Sequence, residues 1–161
     1  FDIVKGCVVD KGGLGYDVNA GGEGVALKKL EKPITGKATF TLKYQTLSNE
    51  NTRNAMLAFG AEPENDELMK VGTAIGMGSH AAFEGSWNNV QGGTLAKADF
   101  DAKQAFTAVV VVDLNAGKVS ATIDGKTFTS ELPKNLKAIA YYGYYVKNTQ
   151  SSFSAIEVKG E

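Results

Sequence analysis

Apolar and polar residues alternate one by one over much of this chain. The clearest run is "KATFTLKYQT" (37–46). Ala38, Phe40, Leu42 and Tyr44 fall on one side of it, and Thr39, Thr41, Lys43 and Gln45 on the other. A period of two belongs to a strand with one face in a core and one in water. "VSATID" repeats the pattern with Val119, Ala121 and Ile123 inward. "NAGK" (115–118) and "DGK" (124–126) are turn chemistry, because Asn, Asp and Gly tolerate positive φ. Residues 105–132 are therefore predicted as a three-stranded meander. Its first strand, "AFTAVVVVDL", is apolar on both sides, with Val109 and Val111 opposite Val110 and Val112. That predicts a central strand covered on both faces.

The runs "CVVD", "GVALKKL", "RNAMLAFG", "KVGTAIGM", "HAAFEG", "KAIAYYGYYV" and "SFSAIEVKG" are further strand candidates. In the last, Phe153 is out of step with Ile156 and Val158, which predicts a bulge. "GGLG" (12–15) and "GGEG" (21–24) are read as turns, and "ADFDAKQ" (98–104) as at most one helical turn. Ten or more short strands, punctuated by 19 glycines, predict an all-β fold: an antiparallel two-sheet sandwich. No linker, repeat or low-complexity tract divides the chain, so residues 1–161 are read as a single β-sandwich domain. It is long enough to bury roughly two-thirds of the surface that the unfolded chain would expose.

Charge narrows the choice of partners. Lys and Arg number 17 against 18 Asp and Glu, a formal net charge of -1, with no basic stripe. A general nucleic-acid or anionic-membrane partner is not expected on that ground, and a local basic pocket for a sulfated or carboxylated ligand is left open without a residue that argues for it. No apolar stretch reaches the ~20 residues of a membrane span. The single cysteine, Cys7, permits no intrachain disulfide and no Cys-based metal cluster, and its apolar surroundings predict a buried structural thiol. The chain begins at Phe and carries no signal peptide, so it reads as a piece excised from a larger multidomain protein.

"AFTAVVVVDLNAGKVSATIDGKTF", "KAIAYYGYYV" and "SSFSAIEVKG", preceded by "KATFTLKYQT" and "RNAMLAFG", together resemble a concanavalin A-like jelly roll over residues 36–159. The pattern is similar to laminin-G-like and related carbohydrate-binding domains. It is most similar to the accessory modules of bacterial polysaccharide lyases, glycoside hydrolases and sulfatases. This resemblance implies a polysaccharide or oligosaccharide ligand and a covalently linked catalytic domain in the full-length protein. It also implies a secreted, periplasmic or cell-surface location. Many such modules carry a structural calcium held by an acidic residue in or beside the last strand, where this chain has Ser154 after Phe153. Calcium favours carboxylate oxygens. Asp2, Asp10, Asp113 and Asp124 are the acids on offer, and turn or surface roles account for each as well. No metal ligand or cofactor is assigned, and a structural calcium is left open without support.

Catalytic constellations are incomplete. Family members that hydrolyse β-glucans carry an E-x-D-x-x-E pattern, which supplies the two carboxyl groups that glycoside hydrolysis requires. In "AEPENDELMK" (61–70) Glu64 and Asp66 begin such a pattern, but Met69 stands in the last acid's place, and Pro63 and Asn65 mark a hairpin loop. His80 is the only histidine, with no adjacent nucleophile motif and no second metal ligand, so it is read as a surface residue or a polar contact at a ligand face. No catalytic residue is assigned.

Binding chemistry is better represented. A sugar ring presents an apolar C–H face and a rim of hydroxyls, and is recognised by an aromatic platform with amides and charges around it. "SWNNVQ" supplies Trp87, Asn88, Asn89 and Gln91, and Gly85, Gly92 and Gly93 nearby suggest a loop. Trp87 is read either as ligand-facing or as a cap on the core. In "YYGYY", Tyr142 and Tyr144 share one face and Tyr141 and Tyr145 the other. Tyr142 and Tyr144, ~7 Å apart along a strand, could form a platform, or one pair could merely cover the sheet edge. Arg53, Asn54 and Tyr16 are further candidates. The leading expectation is a noncatalytic carbohydrate-binding accessory module. A structural or protein-interaction sandwich is the alternative, and a small glycoside hydrolase or lyase the third.

Overall fold

The computed structural model describes residues 1–47, 53–61, 72–79, 86–89, 93–97, 104–123 and 125–161. Of these, residues 53–54, 72–79, 86–89 and 93–97 are described by backbone and register. The expectations for residues 62–71, "HAAFEG", His80, Gln91, Asp124 and most of "ADFDAKQ" lie outside the described residues.

Thirteen strands are described, and no helix: β1 (Ile3–Lys5), β2 (Val8–Gly12), β3 (Gly15–Ile34), β4 (Lys37–Thr46), β5 (Arg53–Gly60), β6 (Gly72–Ser79), β7 (Ser86–Asn89), β8 (Gly93–Lys97), β9 (Phe106–Asp113), β10 (Lys118–Ile123), β11 (Lys126–Glu131), β12 (Ile139–Phe153) and β13 (Glu157–Gly160). All pairings are antiparallel. Nothing among the described residues is a helix long and apolar enough to cross a membrane.

Two long strands, β3 and β12, pair along most of their lengths and tie two layers together. The early part of β12, Tyr141 to Lys147, pairs on its other side with β5, and β6, β7 and β8 follow in order. The late part, Ser151 to Phe153, pairs instead with β4, beyond which lie β9, β10 and β11. The changeover is at Asn148, whose φ is 49°. There the register slips, so that Asn148 faces both Gly21 and Gly22 of β3. An extra residue on one strand bends and twists the ladder. Gly21 and Gly22, with open space around them, let β3 follow the bend. "GGEG" is therefore the bent middle of a 20-residue strand and not the expected turn.

The alternating runs behave as their pattern requires. Ala38, Phe40, Leu42 and Tyr44 are all buried, as are Val119, Ala121 and Ile123. The meander β9–β10–β11 closes through Gly117 and Gly125, at φ 66° and 73°, which glycine adopts without a Cβ penalty. Asp113 Oδ1 accepts the Ala116 N–H at 2.9 Å to fix the first turn. That bond, with Lys37 nearby, holds the Asp113 carboxyl below its ordinary range.

The layers meet face to face. Phe40 of β4 stacks on Phe59 of β5 at 5.7 Å, and the Leu57 N–H donates to the Tyr44 hydroxyl at 2.8 Å across the core. Large side chains such as Phe40, Phe59, Phe153 and Leu57 are fully enclosed, and each such burial stabilises by about 1.5–3 kcal/mol. A smaller cluster of Val25, Leu27, Met56, Ala58 and Tyr145 is buried separately from the main core, with Ile3 packed against it.

Three expectations are corrected. β9 is central, between β4 and β10, but its Val109 and Val111 are only half-buried, in rows with Thr41, Thr39, Ser120 and Thr122 on a polar outer face. Phe153 does not sit on a bulge: it ends β12, and residues 154–156 separate it from β13. Cys7 is partly rather than fully buried. Its thiol donates to the Val25 carbonyl, and desolvation raises its pKa.

Candidate functional site

The pairing of β3 with β12 gathers aromatic side chains from distant parts of the chain. Tyr142 lies opposite Lys28, Tyr144 opposite Ala26, and Phe153 opposite Tyr16. Directly opposed residues share a face, and the small Ala26 leaves room beside the Tyr144 ring. Phe1 reaches the same place from the chain start. Its ring meets Tyr16 at 5.2 Å and Tyr144 at 5.5 Å, both edge-on, which is a favourable geometry for aromatic pairs. The connection from β12 to β13 supplies Ala155 and Ile156 as the remaining wall. With Gly143, these residues line an open-sided pocket of about 130 Å³.

The chemistry of this pocket is simple. Its walls mix aromatic and aliphatic carbon with polar atoms, and Lys28 contributes the one charged side chain lining it. The Tyr144 hydroxyl donates to the Ser154 carbonyl at 2.5 Å. Burial raises the pKa of Tyr144 well above 10.0, with the neighbouring Tyr16 and Tyr142 hydroxyls adding to the shift, so it is a neutral phenol at physiological pH. Among the described residues, neither Tyr142 nor Tyr16 has a side-chain hydrogen-bond partner for its hydroxyl.

The expected tyrosine platform is thus halved. Tyr142 is half-buried and lines the pocket, its ring tilted against Phe40 at 5.9 Å. Tyr144 is 1% exposed and forms the pocket's inner wall, not a bare platform. Alternation correctly gave their shared face. The depth of Tyr144 comes from the rings of Phe1, Tyr16 and Phe153 around it, and nothing in "YYGYY" signals those contacts. Phe1 and Lys28 were not expected at all, and Tyr16 was only a lesser candidate.

The tryptophan segment is also different from its sequence reading. Ser86–Asn89 is strand β7, paired with β6 and β8, and not a loop. The β7–β8 ladder is irregular between Trp87 and Asn88, where their partners are Ala96 and Thr94 and Leu95 of β8 is the extra residue. By register Trp87 belongs to the row Val146–Ala55–Met77, whose members Val146 and Ala55 lie in the main core. Asn89 belongs to the row of Tyr144 and Leu57, and Asn88 to the row of Tyr145 and Met56 on the other side of the sheet. β7 stands three strands from β12, roughly 14 Å away at the usual strand spacing. Arg53 opens β5, opposite Ser79, and Asn54 lies between Lys147 and Gly78. The fold therefore does not bring the β7 candidates to the tyrosine pocket.

No protein-family model matches this sequence, and no curated protein matches it in sequence. Solved structures are similar in fold. A carbohydrate-binding module, CBM66, from Bacillus subtilis superposes with a TM-score of 0.70 at 11% identity, over 98% of this chain and 94% of that one. A Bacillus subtilis protein with a galectin-like fold gives 0.62 at 10% identity, over 95% and 86%. A sialidase gives 0.63 at 6% identity, with 90% of this chain matching 15% of the enzyme. CG-16, a homodimeric agglutinin from chicken liver, gives 0.52 at 12% identity, over 84% and 99%. The architecture is that of a jelly-roll, lectin-like β-sandwich.

Proposed function

We propose that this domain is a noncatalytic carbohydrate-binding module that holds a polysaccharide-active enzyme to its substrate. The observation that carries the reading is the fold, which matches a carbohydrate-binding module over nearly the full length of both chains. The tyrosine pocket supplies suitable chemistry: ring faces for the apolar side of a sugar, with phenol hydroxyls and an ammonium at its edge. Linkage to a catalytic domain is supported by the sialidase, in which the similar region is a small part of a larger enzyme. Tethering raises the local concentration of substrate and requires no reacting groups of its own. A secreted, periplasmic or cell-surface location follows from a polysaccharide partner.

Affinity gel electrophoresis on algal and plant polysaccharides tests this directly. Retention by at least one polysaccharide is expected, and Tyr142→Ala should abolish it. If Trp87→Ala abolishes retention while Tyr142→Ala does not, the ligand lies instead on β5–β7, near Asn88, Asn89 and Arg53, with His80 and Gln91 as further contacts. No retention on any polysaccharide would count against binding altogether. Cleavage of the retained polysaccharide, lost on Glu64→Gln, would overturn the noncatalytic assignment.

A further inference from the structure

Resting on the carbohydrate-binding reading, we infer that the tyrosine pocket takes one anionic sugar unit, with its carboxylate or sulfate ester against Lys28 and its ring against Tyr142. Three features converge on this. First, Lys28 is exposed at the pocket and, like most lysines among the described residues, has no ion-pair partner there, so its ammonium is available to a ligand. Second, no acidic side chain lines the pocket, so nothing within it repels an anion or competes for the ammonium. The whole chain carries a formal net charge of -1, so any attraction for an anion is local to this site. Third, the pocket is small. At about 130 Å³ it falls well below the ~300–1,000 Å³ of sites that enclose drug-sized ligands. It suits a single sugar ring at a chain end or branch.

The recognition is chemically complete without reaction. The ammonium of Lys28 donates a charge-assisted hydrogen bond to the anion, stronger than a neutral one. The faces of Tyr142 and Tyr16 exclude water beside it and pack against ring carbons. Their free hydroxyls are available to the sugar's own hydroxyls. A neutral sugar could use the rings but would leave the ammonium without an anion.

The test is a titration of the whole chain, followed by amide NMR, with methyl glucuronide, glucose 6-sulfate and methyl glucoside. The backbone amides of Lys28, Tyr142 and Gly143 should shift with at least one anionic sugar, and the responding arm separates carboxylate from sulfate. Methyl glucoside should bind about tenfold more weakly, and Lys28→Gln should reduce anionic affinity to that level. Unchanged amide positions in β9 and β10 report that the variant is folded. Equal binding of neutral and anionic sugars, wild-type affinity in Lys28→Gln, or shifts confined to β5–β7 would each overturn the inference. Retention of neutral polysaccharides alone leaves the module reading standing and removes this one. Pocket shifts with an anionic sugar, without retention by any polysaccharide, do the reverse.

Discussion

Replacing Tyr44 with Phe removes one oxygen and tests how the two layers are joined. Tyr44 belongs to β4 and is 1% exposed, and its hydroxyl accepts the N–H of Leu57 on β5 at 2.8 Å. The ring contacts to Phe106 and Phe153, at 5.4 and 5.3 Å, are available to phenylalanine unchanged. The substitution therefore tests the polar contacts of the hydroxyl, the Leu57 link among them. Leaving a buried donor without this partner costs about 1–3 kcal/mol. In a chain of this length 1 kcal/mol moves Tm by about 2–4 °C, so a fall of roughly 2–12 °C is expected. Thermal unfolding followed by circular dichroism reads the shift. Urea unfolding should show a lower midpoint at an unchanged slope, because the surface exposed on unfolding is the same. Tyr144→Phe is the comparison. It removes a bond to the carbonyl of Ser154, a partly exposed residue that water can serve, and should cost less. A Tyr44→Phe protein melting within about 1 °C of wild type would refute the idea that this bond contributes to holding the layers together.

Other consequences follow from the same contacts. Gly143→Ala would place a Cβ 2.0 Å from the Ala26 carbonyl oxygen and 2.9 Å from Leu27 Cα, both backbone and unable to yield. A loss of about 1–3 kcal/mol or more is expected in urea, while Gly21→Ala, which meets nothing within 4 Å, should be far milder; equal midpoints would contradict the close approach of β3 and β12. Burial raises the phenols of Tyr44, Tyr144 and Tyr145 above the ordinary 10.0. Because the fold favours their neutral forms, that stabilisation is complete below pH ~10 and is lost as pH climbs through the raised values. Their phenolate absorbance should appear together with loss of structure, and ionisation of all six tyrosines in a still-folded protein would argue against their burial.

Local chemistry was enough to read part of this protein. Alternation from Ala38 to Tyr44 and from Val119 to Ile123 fixed which side chains face inward, because a strand's period of two admits no other grouping. Glycines in "NAGK" and "DGK" fixed the turns of the meander, because those positions need positive φ. Pairing between distant segments decided the rest. "GGEG" and "VKNT" contain turn-forming residues, yet each is the bent middle of a long strand, since β3 and β12 pair on both sides of the bend. Trp87 sits among glycines and amides, but β6 and β8 on either side hold its segment in a ladder. The pocket itself draws on residues 1, 16, 28, 142–144 and 155–156. Periodicity could place Tyr142 and Tyr144 on one face. Only the approach of Phe1, Tyr16 and Lys28 from elsewhere in the chain buried one ring, left the other at a cavity wall, and set a charge beside it.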